Sequence, residues 1–285
     1  MAVHFSDEAS QQRIFGLRVT SLTVGAIVDR VVGTQRSAAD GVGLVVTANI
    51  QHIALLRSNA ALRAACASAA ITTCDGFPVH YYARLRRCVL PGRVTGRDAV
   101  AILLRRAAFP APVRLFFVVD HERTAQAVRD WAGQRGLGDR VATAIPPFGF
   151  ERDHTLCQDL ARTIRQHRTT ILIMGVGAPR SETFVHEQRS ILPPCWALCI
   201  GQGVKIALGL NPTPPALLVA LNLEWFWRLC LEPHRLGLRY VRSAAGFLLA
   251  VGRDILASSD PGDLAPRPSP AGAATVAADD QRSLP

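Results

Sequence analysis

The sequence is poor in lysine, in long apolar runs and in paired cysteines. Lys205 is the only lysine among 32 basic residues, so the net charge of +10 comes almost entirely from arginine. No apolar run reaches the roughly 18–20 residues that a membrane-spanning helix needs, which argues against an integral membrane protein. The seven cysteines contain no CxxC pair and their number is odd, which argues against a disulfide framework.

Motifs of several common enzyme classes are also missing. The sequence has no D-x-D, no GxSxG and no histidine spacing typical of a metal site, so we expect no metal and no serine nucleophile. The glycine-rich stretch at 175–182 has Arg180 where a GxGxxG fingerprint needs its last glycine, and it lacks the Lys-Ser/Thr of a P-loop. We therefore expect no nicotinamide cofactor, nor any other. The N-terminus lacks a signal-peptide pattern, which favours a cytoplasmic protein.

The 285 residues are enough for a sizeable core, and the positive charge favours anionic partners. Nucleotide sugars, lipid diphosphates, acidic lipids and nucleic acid all fit that description. No nucleic-acid-binding module is recognisable, so nucleic acid is the least favoured of them.

Apolar strands alternate with helices along most of the chain, which predicts a Rossmann-like α/β fold: a parallel sheet with helices on both faces. We predict a short first strand at 15–19, a helix over about 50–70, and six further strands at 43–47, 71–73, 113–119, 141–145, 170–176 and 197–200. The predicted organisation is a flexible tail (1–12), the α/β core (13–215), a basic and aromatic helical appendage (216–257) and a disordered tail (258–285).

Polar residues follow three of the predicted strands, where ligands bind in parallel sheets. Thr47 and Asn49 either cap the next helix, which these residues alone favour, or contact a ligand. Asp75, followed by Gly76, is either a general base for a sugar hydroxyl or part of a common turn. The stretch 175–182 offers backbone amides and Arg180 to a phosphate.

The segment 223–240 combines tryptophans, a phenylalanine and leucines with Arg228, Arg235 and Arg239. Aromatic rings beside guanidinium groups suit a membrane–water boundary or an anionic ligand such as a diphosphate. The alternative is a C-terminal helix that is half buried on its own domain, with solvated arginines.

These motifs, in this order, resemble the WecG/TagA/CpsF glycosyltransferases over about residues 15–240. The residues that carry the resemblance are Thr47-x-Asn49, Asp75-Gly76, Arg93-Val94-x-Gly96-x-Asp98, Pro147-Phe148-Gly149, Gly175-x-Gly177-x-Pro179-Arg180-x-Glu182 and the block Leu223-Glu224-Trp225-x-x-Arg228-Leu229-x-x-Glu232-Pro233-x-Arg235-Leu236.

The resemblance implies an inverting, metal-independent hexosyltransferase. Its donor would be a UDP-sugar, commonly UDP-N-acetylmannosamine, and its acceptor a sugar on undecaprenyl diphosphate. It would work as a peripheral protein on the cytoplasmic face of the bacterial membrane, in surface polysaccharide synthesis, and some members form homo-oligomers.

Residue by residue, the resemblance makes Asp75 the catalytic base. It assigns the diphosphate to Arg228, Arg235 and Arg239. The expected substrate-binding residues are Thr47, Asn49, Arg93, Gly96, Asp98, Gly177, Pro179, Arg180, Ser181, Glu182 and Lys205.

Three positions depart from the family pattern. Ser181 replaces a glutamine, Lys205 replaces an aspartate, and Thr213 begins Thr-Pro-Pro where the family has Arg-Ala-Pro. They indicate a changed donor or acceptor, or reduced activity. The alternative function is therefore a nucleotide-sugar-binding or scaffold subunit of a polysaccharide assembly complex.

Overall fold

Six parallel strands form the centre of the protein in the computed structural model, which describes residues 12–106, 108–212, 214–221 and 223–257, without the side chains of Ala216, Ala220 and Arg235. A separate antiparallel pair, β1 (Gln12–Ile14) and β2 (Leu17–Val19), precedes them. The six strands are β3 (Gly43–Ala48), β4 (Ile71–Cys74), β5 (Leu115–Val118), β6 (Val141–Ala144), β7 (Ile171–Met174) and β8 (Trp196–Cys199). β3 to β8 form one sheet in the order β4-β3-β8-β7-β5-β6, and every neighbouring pair is parallel. The predicted α/β fold is confirmed.

Helices cover this sheet. They are α1 (Val24–Gly33), α2 (Ile50–Leu56), α3 (Ala60–Ala67), α4 (Phe77–Leu85), α5 (Gly96–Arg105), α6 (Glu122–Gln134), α7 (His154–Gln166), α8 (Arg180–Glu187), α9 (Gly203–Ala207), α10 (Ala216–Ala220), α11 (Glu224–Leu231) and α12 (Pro233–Ala257). Two hydrophobic clusters divide the core, and alternate residues of one strand enter different clusters: Phe116 joins one, whereas Leu115 and Phe117 join the other. Both faces of the sheet are therefore buried, as expected for a parallel sheet.

Two predicted elements are wrong in detail. The strand predicted at 15–19 is a hairpin, because Phe15 and Gly16 both adopt positive φ and turn β1 into β2. The helix predicted over 50–70 is two helices, because Asn59 caps α3 with its side-chain oxygen, which accepts the Leu62 amide at 2.8 Å.

The segment 223–240 is also interrupted. α11 ends at Leu231 and α12 begins at Pro233, a residue that lacks the N–H a helix interior requires. The segment is therefore two consecutive helices and not one.

The long helix α12 packs along α2. A Cβ placed on Gly246 would lie 2.6 Å from the Cβ of Ala54, so the two backbones approach more closely than any larger residue allows. At the far end, the Asp254 carboxylate accepts hydrogen bonds from the Phe15 amide at 2.9 Å and the Tyr82 hydroxyl at 2.7 Å. The C-terminal segment is thus joined to the sheet domain at two separate points.

The boundary between core (13–215) and appendage (216–257) stays a prediction. Residue 12 belongs to β1, while most of the predicted tails, 1–11 and 258–285, and Thr213 lie outside the described residues. Within the described ranges, no helix has both the length and the apolar character to cross a membrane.

Candidate active site

The carboxyl end of β3 holds Thr47 and Asn49. Thr47 is buried, and its hydroxyl donates to the Cys199 carbonyl at 3.4 Å. The Asn49 side-chain oxygen accepts the amides of Gln51 at 2.9 Å and His52 at 3.3 Å, so Asn49 caps α2. The capping interpretation is confirmed for Asn49, and ligand contact by either residue stays a prediction.

Asp75 directly follows β4 at the same edge of the sheet. Its backbone amide donates to the Ala48 carbonyl at 2.8 Å, and Gly76 leaves the strand with φ of 84°. The half-buried carboxylate accepts a hydrogen bond from the Gly96 amide. Burial raises the pKa of Asp75 to about 6, and the Gly96 hydrogen bond limits the rise. The positive charges of Arg93 and Arg228 act in the same direction as that hydrogen bond.

Close packing of α5 explains why a glycine stands at position 96. A Cβ on Gly96 would lie 2.9 Å from the Ile200 Cβ, and a Cβ on Gly203 would lie 3.1 Å from the Arg97 Cα. The starts of α5 and α9 therefore touch through glycines. This contact holds the Gly96 amide beside Asp75.

Arg93 and Asp98 take part in an ion-pair network that reaches the C-terminal segment. The Glu224 carboxylate on α11 pairs with Arg93 through one oxygen and with Arg97 through the other, the second contact at 2.6 Å. Arg97 also contacts Asp98 at 3.0 Å. The network fastens α11 beside the Asp75 carboxylate, and neither Glu224 nor Arg97 was marked by sequence as a site residue.

Of the three arginines assigned to a diphosphate, the structure brings Arg228 to Asp75, whose pKa its charge lowers. Arg239 is exposed on α12, with its guanidinium 5.8 Å from the Tyr240 ring centre. The side chain of Arg235 lies outside the described part of the structure. A shared diphosphate role for the three stays a prediction.

The loop after β7 contains Gly177, which has φ of 84°, and Pro179. Arg180 begins α8, and its guanidinium lies 5.1 Å from the ring centre of Phe148. Ser181 is fully buried, and its hydroxyl donates to the Gly177 carbonyl at 3.2 Å. Ser181 thus stabilises the loop from inside, and its contact with substrate stays a prediction.

Glu182 is buried as well and meets His52, a residue that the motifs do not mark. The two contacting atoms, His52 Nε2 and Glu182 Oε1, are 3.1 Å apart. Because His52 Nδ1 accepts the Asn49 amide at 3.4 Å, Nε2 carries the proton and donates to Glu182. A signal for His52 existed in the sequence: it stands three residues after the capping Asn49, at the position of a capping box.

Lys205 pairs with Asp120, which follows β5 closely. Lys205 Nζ lies 2.8 Å and Gln202 Nε2 lies 3.2 Å from the same Asp120 oxygen. Burial alone raises the pKa of Asp120, but these hydrogen bonds outweigh it and the net pKa is lowered. Asp120 was not marked as a site residue from the sequence. Like Asp75, however, it is an aspartate that comes just after an apolar strand.

Across the described ranges, no three His, Cys, Asp or Glu side chains come together in a way that could hold a metal ion.

Comparison with known proteins identifies the family. N-acetylglucosaminyldiphosphoundecaprenol N-acetyl-beta-D-mannosaminyltransferase of Bacillus subtilis (strain 168) is 27% identical over 168 residues, which cover 56% of this chain and 60% of that protein. The protein of the same name from Bacillus spizizenii (strain ATCC 23059 / NRRL B-14472 / W23) is 26% identical over 222 residues, which cover 76% of this chain and 81% of that protein. The model of the glycosyl transferase WecG/TagA/CpsF family matches residues 12–261. The chain therefore belongs to the WecG/TagA/CpsF family of glycosyl transferases.

Proposed function

We propose that this protein transfers a hexose, N-acetylmannosamine or a similar sugar, from UDP to a sugar on undecaprenyl diphosphate. The transfer inverts the anomeric centre, needs no metal ion and contributes to a bacterial surface polysaccharide. Family membership and the names of the two relatives, which describe N-acetylmannosaminyl transfer to an acceptor on diphosphoundecaprenol, support this proposal.

The single observation that carries the proposal is the environment of Asp75. Its carboxylate is half-buried at the carboxyl edge of the sheet, and its pKa of about 6 lies close to neutral pH. A base with such a pKa is mostly ionised at pH 7 and still accepts a proton readily. In the proposed step, an acceptor hydroxyl gives its proton to Asp75 while its oxygen attacks the anomeric carbon.

The bond between the anomeric carbon and the diphosphate oxygen breaks in the same step, and its electron pair leaves with UDP. The positive charges of Arg93 and Arg228, which already act on Asp75, suit the negative charge that develops on the leaving group. Arg235 and Arg239 on α12 are proposed to complete the diphosphate site.

Peripheral attachment to the cytoplasmic membrane face belongs to the same proposal. On α11, Trp225 and Phe226 are 51% and 46% exposed, in the helix that also carries Arg228. Exposed aromatic rings beside a cationic side chain favour the membrane interface, where a polyprenyl-linked acceptor resides.

The test is to incubate the purified protein with a panel of UDP-sugars and a lipid-diphosphate-linked acceptor, with a related transferase as the positive control. We expect one donor to give a product whose new glycosidic bond has the inverted anomeric configuration. No transfer from any donor would refute the proposal and favour the scaffold-subunit alternative. A product with the retained anomeric configuration would refute the proposed one-step displacement of UDP by the acceptor hydroxyl.

A further inference from the structure

The ring of Phe148 is 94% exposed, on a turn at the carboxyl edge of the sheet. The Phe150 amide donates to the Pro147 carbonyl at 3.1 Å, and Gly149 has φ of 85° and ψ of 9°. These values describe a type II turn, in which the third position needs a glycine. Phe148 occupies the second position, so the turn directs its ring outward.

The turn is held firmly on the side that faces the core. Phe150 is buried and makes an edge contact with Phe184, with ring centres 5.6 Å apart. The Cys157 thiol donates to the Phe150 carbonyl at 3.3 Å. Phe148 is therefore an exposed aromatic ring on a fixed support, which core packing does not explain.

Arg180 connects this ring with the glycine loop. Its guanidinium lies 5.1 Å from the Phe148 ring centre, and one of its nitrogens would lie 3.9 Å from a Cβ placed on Gly177. An aromatic face and a guanidinium group at this separation match the two parts of a nucleotide, a flat base and its phosphates.

The strand order places this pair at a suitable distance from Asp75. Asp75 follows β4 and Arg180 follows β7, which are three strand positions apart in the sheet. At the usual strand spacing this is about 14 Å along the edge. A donor diphosphate held between Arg180 on one side and Arg228 on the other would thus leave its sugar toward Asp75 and its nucleoside toward Phe148.

We propose that Phe148 is the platform on which the base of the donor nucleotide stacks, and that Arg180 binds the adjoining phosphate. The ligand class is a pyrimidine nucleoside diphosphate. This inference rests on the proposed function for the identity of the donor, but it concerns binding only.

The test measures binding of UDP and of inorganic diphosphate by calorimetry, without an acceptor. Phe148→Ala should weaken UDP binding about 5- to 150-fold, the usual range when one base loses an aromatic partner, and should leave diphosphate binding unchanged within about twofold. Phe148→Tyr should bind UDP like the wild type. Ile145→Ala removes another exposed apolar side chain of the same loop and should change neither affinity.

Binding and transfer can fail separately. If Phe148→Ala binds UDP as the wild type does, or the wild type does not bind UDP, the platform is refuted, whatever the transfer assay shows. If Phe148→Ala loses affinity for UDP but not for diphosphate, while the wild type transfers a sugar from no donor, the stacking platform is supported and the proposed function is refuted. A change confined to vesicle binding or self-association would assign Phe148 to a docking surface instead and overturn the inference.

Discussion

His52 and Glu182, which are 130 residues apart in the sequence, meet at 3.1 Å in the interior. Their side chains are 4% and 2% exposed, and the contact joins the start of α2 to the start of α8. Since Asn49 is held by the same histidine, this pair links the strand end of β3 to the glycine loop after β7.

We expect His52→Ala to lower the free energy of unfolding by about 3–5 kcal/mol, because it leaves the Glu182 carboxylate buried without its partner. Urea unfolding followed by circular dichroism measures this. His121→Ala is the matched control, because the His121 side chain is 70% exposed, and its effect should stay within about 0.5 kcal/mol. Equal stabilities of the two variants would show that the buried pair contributes nothing.

A methyl group at position 96 should disturb the catalytic edge. Gly96→Ala places a Cβ against Ile200, whose Cα would be 3.1 Å away, so the start of α5 must move and its amide must leave Asp75. We expect turnover to fall at least tenfold. Gly25→Ala is the control, since nothing lies within 4 Å of its Cβ and alanine favours the helix α1. Wild-type turnover in Gly96→Ala would disprove the positioning role of this amide.

Membrane attachment is best tested by point substitutions, because removal of residues 223–257 would also uncover the surface of α2 on which α12 packs. Trp225→Ser combined with Phe226→Ser should reduce partition into anionic phospholipid vesicles about tenfold, from the loss of two half-exposed aromatic rings. Sedimentation with vesicles measures the bound fraction. Leu156→Ser, which is 39% exposed on α7, should bind like the wild type. An unchanged bound fraction for the double variant would exclude α11 as the attachment site.

The raised pKa of Asp75 also predicts a pH-dependent stability. The Asp75 carboxyl group keeps its proton up to about pH 6 in the folded protein, whereas in the unfolded chain it loses the proton near its ordinary pKa of 3.8. The free energy of unfolding therefore falls as the pH rises from about 4 to 6. Asp75→Asn removes the half-buried charge and should stabilise the protein by about 1–2 kcal/mol at pH 7.5, after a discount for partial exposure. At pH 4 the gain should vanish. Thermal unfolding at both values checks this, and an equal gain at the two pH values would contradict it.

The sequence predicts the fold well because the strands are continuous apolar runs. It also predicts that Asp75 and Asn49 share one edge, since carboxyl ends of parallel strands do so. The hairpin turn at Phe15 was not predictable from periodicity, because it depends on two neighbouring residues with positive φ. The break between α11 and α12, by contrast, has a signal in the sequence, which is Pro233.

Pairings between distant residues could not be predicted at all. In the sequence, Lys205 is recognisable only as a reversed charge at a family position, and its ion pair with Asp120 becomes visible only in the structure. Glu224 is similarly recognisable in the sequence only as part of a motif, and only the structure shows its ion pair with Arg93. Such partners are set by strand order and helix packing, which local patterns do not encode.

The most direct test of the central claim is the pH dependence of sugar transfer by the wild type and by Asp75→Asn. If Asp75 is the base, kcat/KM of the wild type rises with pH and levels off above about pH 6. In Asp75→Asn, kcat/KM is about 100- to 10,000-fold lower than in the wild type, although this variant still binds UDP. A wild-type rate in Asp75→Asn, or a wild-type profile with no change in slope near pH 6, would contradict the account.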